Sequence, residues 1–344
     1  MTMKKATLAI LLSAFLSISA ALRPDPSQPS DPCDPSSLPD PRTLRSDQLT
    51  VLISGYSEHR LPLLSSLAAS YASSPLVAAV LILWGNPSTP DETLKNISSS
   101  AAAAAPITVI RHPTASLNAR FIPRREIRTS AVAVCDDDVE IDEGTLAFAF
   151  TVWRSSSSDR LVGLFARSHD LDLSRRSWIY TVHAERFSMV LTKFMILGAD
   201  YLVRYTCGGG AAMAAMRAYV EERRNCEDVL MNFVAAMASG RGPVLVGERR
   251  GRIRDWGDVR NEERGDGVRI REVSISGREG HRRRRGECIR EFHRTLGWMP
   301  LRYSYGSVVD QVGEQGLCHK GGKRPPSKRT IDAPDSCVPQ SMMK

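Results

Sequence analysis

The sequence predicts an α/β fold in which a mostly parallel central sheet is flanked by helices. Short apolar runs, typical of buried strands, alternate along the chain with segments of helical periodicity, and this alternation is characteristic of parallel sheets. The chain has 344 residues, of which 42% are hydrophobic and 24% charged. This is an ordinary globular composition, which excludes a mainly disordered, collagen-like or multi-span membrane protein.

Apolar runs predict the strands, and longer periodic segments predict the helices. The strands are predicted at residues 49–54, 77–84, 107–111, 131–135, 161–166 and 244–246. The helices are predicted at residues 61–71, 97–105, 187–197 and 226–238, although the alanine tract in the second of these also suits a loose surface segment. The arginine-rich segment 249–294 is expected to be the least structured part of the globular region.

The amino terminus predicts entry into the secretory pathway. A short basic start is followed by 17 residues without a charge, 6–22, and by small residues that suit signal peptidase. The same length is near the lower limit for crossing a bilayer, so an uncleaved anchor fits equally well. We therefore predict a signal peptide or signal anchor at 1–22, a disordered Pro- and Asp-rich stem at 23–46, a globular domain at 47–319 and a basic disordered tail at 320–344.

The net charge, the cysteine content and a glycosylation sequon limit the partners and sites that we expect. The net charge of +8 suits an anionic partner, such as a phosphate or a membrane surface, without requiring one. The seven cysteines include no Cys-x-x-Cys pair, and this argues against a structural zinc site. Asn96-Ile97-Ser98 is a glycosylation sequon and suits a luminal loop.

Three consecutive carboxylates follow a predicted strand. Asp136, Asp137 and Asp138 come directly after the apolar run 131–135, and ligands of open parallel sheets bind at the carboxyl ends of strands. In an extended segment Asp136 and Asp138 share a face. Three adjacent carboxylates repel one another unless a cation lies among them, and hard oxygen ligands select Mg²⁺ or Mn²⁺. The triplet therefore indicates a metal–diphosphate site, with a solvated acidic turn as the alternative.

A second polar cluster opens the predicted helix at 226–238. Asn225 can cap this helix, and Glu227 and Asp228 favour its first turn through the helix dipole. By itself, this pattern favours a well-capped amphipathic helix over a binding site.

These segments together resemble glycosyltransferase family 64, which contains the exostosin carboxy-terminal domains and the exostosin-like proteins. The resemblance covers about residues 47–322, is closest to the short plant members, and implies a GT-A fold, a nucleotide-sugar donor, Mn²⁺ (with Mg²⁺ as an alternative) and retention of anomeric configuration. The motifs that carry it, in order, are residues 53–56, 83–84, 116–118, 136–138, 187–192 and 225–233.

The resemblance also implies roles for the acidic residues. Asp136 and Asp137 would hold the ribose side of the nucleotide, and Asp138 would ligate the metal on the diphosphate. Asp228 would lie near the reacting sugar, with Asn225 in the same pocket.

The basic and amide residues of the site follow from the same resemblance. Arg285 would contact the diphosphate or leaving group, unless it is one of four adjacent arginines in a solvated loop, and Arg120 would contact the nucleotide. Asn118 and Asn86 stand where the family has paired asparagines; each pair is reduced to one here, so the resemblance does not specify the donor. Trp84 is expected in the core or as a platform for the base.

The resemblance further implies a disulfide between Cys226 and Cys288. Additional bridges considered for an oxidising lumen are Cys207 with Cys318 and Cys33 with Cys337, whereas Cys135, after a buried strand, is the expected free thiol.

The sequence as a whole predicts a luminal, metal-dependent, retaining glycosyltransferase, in or near the Golgi membrane. The short plant members imply GDP-mannose or UDP-N-acetylglucosamine as donor and a wall glycan or sphingolipid head group as acceptor; no nucleic-acid partner is expected. Asp228 could act as a nucleophile or as an electrostatic stabiliser, and same-face attack fits equally. A phosphatase of the haloacid-dehalogenase type and a non-catalytic glycan-binding module are the alternatives.

Overall fold

The computed structural model describes residues 31–95, 97, 104–156, 158–247, 253–257, 280–310, 316–318 and 337–339. The predicted signal or anchor, most of the predicted helix 97–105, the sequon asparagine and most of the predicted tail lie outside these residues. Among the described residues, none of the helices is both long and apolar enough to cross a bilayer.

The described strands group into one large sheet and several small ones. They are β1 (Arg45–Gly55), β2 (Val77–Trp84), β3 (Ile107–Arg111), β4 (Thr129–Asp136), β5 (Val139–Ile141), β6 (Val162–Gly163), β7 (Ala166–Asp172), β8 (Ser177–Thr181), β9 (Arg186–Phe187), β10 (Met189–Val190), β11 (Phe194–Gly198), β12 (Val244–Gly247), β13 (Ile253–Asp255), β14 (Ser304–Tyr305), β15 (Val308–Val309), β16 (Gly316–Cys318) and β17 (Cys337–Pro339).

The described helices lie on the two faces of the large sheet. They are α1 (Leu61–Ser73), α2 (Asp91–Lys95), α3 (Glu143–Ser155), α4 (Ala199–Cys207), α5 (Gly210–Arg223), α6 (Glu227–Ser239) and α7 (His281–Leu296), with short 3-10 turns that include Leu117–Phe121.

The large sheet is mostly parallel, as the sequence predicts. Its strands lie in the order β15-β12-β6-β11-β4-β1-β2-β3, and β11 alone of these runs antiparallel to its two neighbours. Because β1, β2, β3 and β4 are mutually parallel, their carboxyl ends meet at one edge. This α/β architecture, with helices on both faces, is the one expected of a GT-A-like fold.

Strand residues alternate between two hydrophobic cores, one on each face of the sheet. Val132 and Val134 of β4 pack with α4, α5, α6 and α7, whereas Ala131, Ala133 and Cys135 pack with α1 and α3. This alternation follows from the two-residue period of a strand. The central strands, such as β2, β4 and β11, are buried on both faces for most of their length, so they are almost continuously apolar.

The prediction of a helix at residues 187–197 is wrong, because this segment forms β9, β10 and β11. In β11, Phe194 and Ile196 belong to one core, and Met195 and Leu197 belong to the other. A strand buried on both faces is apolar at every position, so its two-residue period cannot be seen in the sequence.

We also expected residues 249–294 to be the least structured part of the globular region, and this expectation is wrong for the carboxyl end of the segment. Residues 281–296 form α7, whose buried face contains Cys288, Ile289 and Phe292. The many arginines conceal this helix because they lie mainly on its other faces, while a narrow apolar stripe faces the core.

The structure contains the bridge implied by the family resemblance, between Cys226 and Cys288, and a second one between Cys33 and Cys207. The second bridge overturns both further pairings considered from the sequence, since each cysteine can form only one bond. It ties Cys33, near the middle of the predicted stem, to the carboxyl end of α4. Cys135 is buried and unbridged, as expected.

Removing the bridge between Cys226 and Cys288 should destabilise the fold. The two residues are 62 positions apart, and a bridge that closes such a loop contributes about 2–4 kcal/mol to the free energy of unfolding. We expect the double variant Cys226→Ser/Cys288→Ser to lose stability of this order in urea unfolding. Cys135→Ala, which breaks no bridge, is the control and should lose less. Equal stability of the double variant and the wild type would contradict a structural role for the bridge.

Candidate active site

The candidate site lies at the edge where the parallel strands end. Ser54 in β1 pairs with Asp136 in β4, and Gly55 pairs with Trp84 in β2, so the residues that follow these strands converge. Tyr56, directly after β1, is 55% exposed at this edge. Open parallel sheets bind ligands in this position.

The acidic triplet bends away from the strand rather than continuing it. Asp136 ends β4, whereas Asp137 and Asp138 form the turn into β5. The expectation that Asp136 and Asp138 share the face of an extended segment is therefore wrong. Arg60 instead joins the last two carboxylates: its Nη1 donates to Oδ1 of Asp137 at 2.8 Å and to Oδ2 of Asp138 at 3.1 Å. Both carboxylates are largely buried, so the alternative of a solvated acidic turn does not hold.

Asp138 has an oxygen that the described residues do not satisfy. Its Oδ1 is buried and has no hydrogen-bond partner in the described part of the chain. Burial, reinforced by the charges of Asp136 and Asp137, raises the pKa of Asp138 to about 7, although Arg60 and Lys193 oppose the rise. The backbone N–H of Trp256 donates to the carbonyl of Asp138 at 2.8 Å and holds this turn against β13. A buried, unsatisfied carboxylate oxygen of this kind can accept a hydrogen bond, take up a proton or bind a cation.

Arg120 connects the triplet to α6. Its Nη1 lies 2.9 Å from Oδ1 of Asp136 and 3.5 Å from Oε1 of Glu227. Burial alone lowers the pKa of Arg120, but Glu227 and Asp136 more than offset this, so its pKa lies above the ordinary value. Burial also raises the pKa of Glu227 to about 7, against the opposing charge of Arg120. The arginine therefore stays charged and links β4 to the first turn of α6.

The first turn of α6 presents Asp228 to the site. Asn225 does not cap this helix, contrary to expectation: Cys226 is the N-cap residue, with a φ of 78°, and Asn225 lies buried before it. This left-handed conformation is uncommon for a residue that carries a Cβ. Asn232, one turn later, binds both backbone groups of Val190 and the carbonyl of Asp228. These contacts fix the start of α6 against β10.

Asp228 and Arg285 form a buried ion pair. Nη1 of Arg285 donates to Oδ2 of Asp228 at 2.7 Å, and the backbone N–H of Val229 donates to Oδ1 at 2.8 Å. Burial lowers the pKa of Arg285, but the charge of Asp228 raises it more, so the net pKa lies above the ordinary value. Arg285 lies on α7, and the alternative that it belongs to a solvated loop is excluded.

Two further side chains hold the guanidinium of Arg285. The Nε of Arg285 donates to Nε2 of His281 at 3.0 Å, and the guanidinium carbon lies 5.5 Å from the centroid of the Tyr180 ring. Burial and the charge of Arg285 lower the pKa of His281 to about 4, so this imidazole is neutral and can accept the hydrogen bond. The arginine is thus oriented from both sides before any substrate arrives.

Asn118 and Asn86 form their hydrogen bonds with residues outside the acidic triplet and Asp228. Asn118 accepts a hydrogen bond from the hydroxyl of Tyr205 at 2.6 Å and donates to the carbonyl of Arg217 at 3.0 Å. It therefore joins the 3-10 turn that carries Arg120 to α4 and α5. Asn86 lies in the loop after β2, where its Oδ1 accepts from the N–H of Ser88. Trp84 is fully buried, which settles its place in the core.

Arg60, Tyr180 and His281 carry no sign of a site in the sequence, and Glu227 is predictable only as a first-turn acid that favours the helix dipole. Arg60 is 77 residues from Asp137, and Tyr180 is about a hundred residues from Arg285. The i to i+4 spacing of His281 and Arg285 was the one local signal, and it has meaning only once residues 281–296 are known to be helical.

A divalent cation would fit this site only together with a second ligand that carries phosphate. Among the described residues, no group of three or more His, Cys, Asp or Glu side chains is arranged to hold a metal by itself. Mn²⁺ and Mg²⁺ often bind through one or two carboxylates together with substrate phosphates. The free oxygen of Asp138 offers one such ligand, so the residues present fit this mode.

Comparison with known proteins identifies the family. Residues 49–313 match the glycosyl transferase family 64 domain. The chain is 57% identical to glycosyltransferase family protein 64 C3 of Arabidopsis thaliana, over 81% of this chain and 85% of that protein. It is 29% identical to glycosylinositol phosphorylceramide mannosyl transferase 1 of the same plant, over 73% of each chain. It is 32% identical to exostosin-1 of Cricetulus griseus, over 71% of this chain but 30% of that protein. The predicted family is confirmed: the chain belongs to glycosyltransferase family 64.

Proposed function

We propose that this glycosyltransferase takes its sugar from a nucleotide-sugar donor, requires Mn²⁺ or Mg²⁺, and transfers the sugar with retention of configuration. The observation that carries the proposal is the unsatisfied Oδ1 of Asp138 at the carboxyl end of β4. Family membership supports the glycosyl transfer itself and sets aside the haloacid-dehalogenase alternative.

The donor would lie across the carboxyl ends of β1, β2 and β4. The exposed ring of Tyr56 offers a face for the base, and Gly85 lies beside it: a Cβ at Gly85 would be 3.6 Å from that ring, an ordinary van der Waals contact. Asp136 and Asp137 would face the ribose, with Arg60 and Arg120 holding them in place. Asp138 would hold the cation, which, when bound, would neutralise the diphosphate as it departs.

The chain supplies two charged groups near the reacting sugar. Arg285 would stabilise the leaving diphosphate, and its contacts with His281 and Tyr180 orient it for this role. Asp228 would stabilise positive charge that develops on the sugar. Both of its oxygens already accept hydrogen bonds, which spreads its charge and favours a stabiliser over a covalent nucleophile.

The acceptor is proposed by analogy with one relative. The Arabidopsis protein that is 29% identical over 73% of both chains is named a mannosyl transferase for glycosylinositol phosphorylceramide. We therefore propose a sphingolipid head group as acceptor, with a wall glycan as the alternative, and GDP-mannose or UDP-N-acetylglucosamine as donor. The predicted signal or anchor at 1–22 favours the Golgi lumen.

Replacing Asp138 should abolish the effect of the metal on nucleotide binding. We expect Asp138→Asn to reduce the affinity for nucleoside diphosphate in Mn²⁺ at least about tenfold, to the level seen with chelator, because the ligand loses its charge. Isothermal titration with and without Mn²⁺ measures this change. Asp200→Asn, an exposed carboxylate at the start of α4, is the control and should bind as the wild type does. Unchanged affinity in Asp138→Asn would contradict the metal assignment.

Replacing Asp228 should affect turnover more than donor binding. A carboxylate interacts more strongly with a developing positive charge than with a neutral sugar, so we expect Asp228→Asn to cut kcat about a hundredfold or more with little change in donor Kd.

A stability measurement on the same variant completes this test. Because Asp228→Asn leaves the buried Arg285 without its charged partner, the free energy of unfolding should also fall, by about 3–5 kcal/mol. Kinetics are therefore measured at a temperature where the variant is folded. Glu143→Gln, which removes an exposed first-turn carboxylate from α3, is the control for the helix dipole. Normal turnover in folded Asp228→Asn would show that the residue is only structural.

A further inference from the structure

The hairpin of β7 and β8 exposes an apolar face that begins next to the candidate site. His169 and Leu171 lie on one face of β7, and Leu173 follows in the turn at the tip. Their exposed fractions rise toward the tip, from 2% to 45% to 79%. The 79% of Leu173 is the highest value among the exposed large apolar residues of the described chain.

The tip has a defined shape. The carboxylate of Asp172 accepts hydrogen bonds from the backbone N–H groups of Ser174 and Arg175 at 3.0 and 3.1 Å, and Arg176 completes the turn with a φ of 47°. A side-chain turn of this kind fixes the local backbone. Leu173 is therefore held in water by an ordered turn, and that exposure has a cost unless something covers the leucine.

Helix α7 covers the inner part of this face and then ends. A Cβ at Gly286 would lie 3.5 Å from the backbone nitrogen of Tyr180, whereas Arg290 and His293 contact Trp178. The helix thus runs antiparallel to β8, from the candidate site toward the hairpin tip. Trp298, just beyond the end of α7, is 46% exposed.

Cationic side chains border the exposed leucines. Arg175 and Arg176 lie in the tip, and Arg294 lies in the last turn of α7. Two of these arginines have an acidic partner: Arg175 lies 3.6 Å from Asp172, and Arg294 is paired with Glu291. The three arginines and two acids together leave an excess of one positive charge, at Arg176. Exposed leucines, a tryptophan and arginines together are typical of surfaces that lie in the interface of a bilayer.

We propose that the hairpin tip, residues 171–176, together with Trp298, rests on the lipid bilayer that carries the acceptor. This inference builds on the proposed glycolipid acceptor. Leu171 and Leu173 enter the interface between head groups and acyl chains, and the arginines contact lipid phosphates.

The position of the tip suits this role. Arg176 precedes Tyr180 by four residues, so the tip lies at most about 13 Å from the backbone of Tyr180, whose ring supports Arg285, at about 3.3 Å per strand residue. Arg285 and Asp228 would then stand about one head group above the bilayer. A sugar acceptor attached to lipid could reach them without leaving the membrane.

The first test measures immersion of the tip in the full-length chain. A spin label is placed at Leu173→Cys, and a control label is placed at Ser66→Cys on α1, on the opposite face of the sheet. Both proteins are reconstituted in vesicles of phosphatidylcholine and phosphatidylserine. We expect the label at 173 to be more accessible to oxygen than to a water-soluble nickel complex, and the label at 66 to show the reverse. Equal aqueous accessibility of the two labels would overturn the proposal.

The second test compares transfer to an acceptor in vesicles with transfer to the same head group in solution. We expect Leu171→Ser/Leu173→Ser to reduce transfer in vesicles about tenfold and to leave transfer in solution unchanged. Val308→Ser/Val309→Ser, which removes two apolar side chains that are 43% and 49% exposed elsewhere, should change neither rate. Equal loss with both acceptors, or self-association of the wild type that the leucine variant abolishes, would overturn membrane docking. Immersion without transfer to any acceptor would instead refute only the proposed function.

Discussion

Burial of carboxylates at one edge of the sheet is the constraint on which the rest of the site depends. Buried carboxylates are unstable unless cations pair with them. The described chain supplies an arginine from a separate element for each group of acids: Arg60 before α1, Arg120 from a 3-10 turn and Arg285 from α7. Each pairing holds a distant segment against the carboxyl ends of the strands. The acids they hold are Asp136, Asp137, Asp138, Glu227 and Asp228.

This arrangement leaves two kinds of acid in the site. Asp228 is fully engaged by Arg285 and by the backbone of Val229, so its charge is fixed in place. Asp138 shares Arg60 with Asp137 and keeps one unsatisfied oxygen, and its raised pKa shows that the nearby cations do not fully compensate its charge. This difference between the two carboxylates is the reason why we propose different roles for them: Asp228 stabilises charge, and Asp138 binds a cation. The bridge between Cys226 and Cys288 joins the two helices that hold the Asp228–Arg285 pair.

The sequence was informative where function is encoded locally and uninformative where it depends on contacts between distant segments. The strand that ends in Asp136 was predictable because an apolar run followed by acids is contiguous. The structure of residues 187–197 was not, since a strand buried on both faces has no visible period. Arg60 had no local signal, because its partners come 77 and 78 residues later. The pairing of Cys33 with Cys207 was equally hidden, because spacing does not determine which cysteines meet.

We propose above all that a metal-dependent donor site lies at the carboxyl end of β4. Its most direct test is release of nucleoside diphosphate from a panel of UDP- and GDP-sugars by the purified full-length chain, with Mn²⁺ and with chelator. The account predicts slow hydrolysis of at least one donor in Mn²⁺, which stops when the metal is chelated. Hydrolysis that is indifferent to chelation, or folded protein that releases nucleoside diphosphate from none of these donors, would contradict it.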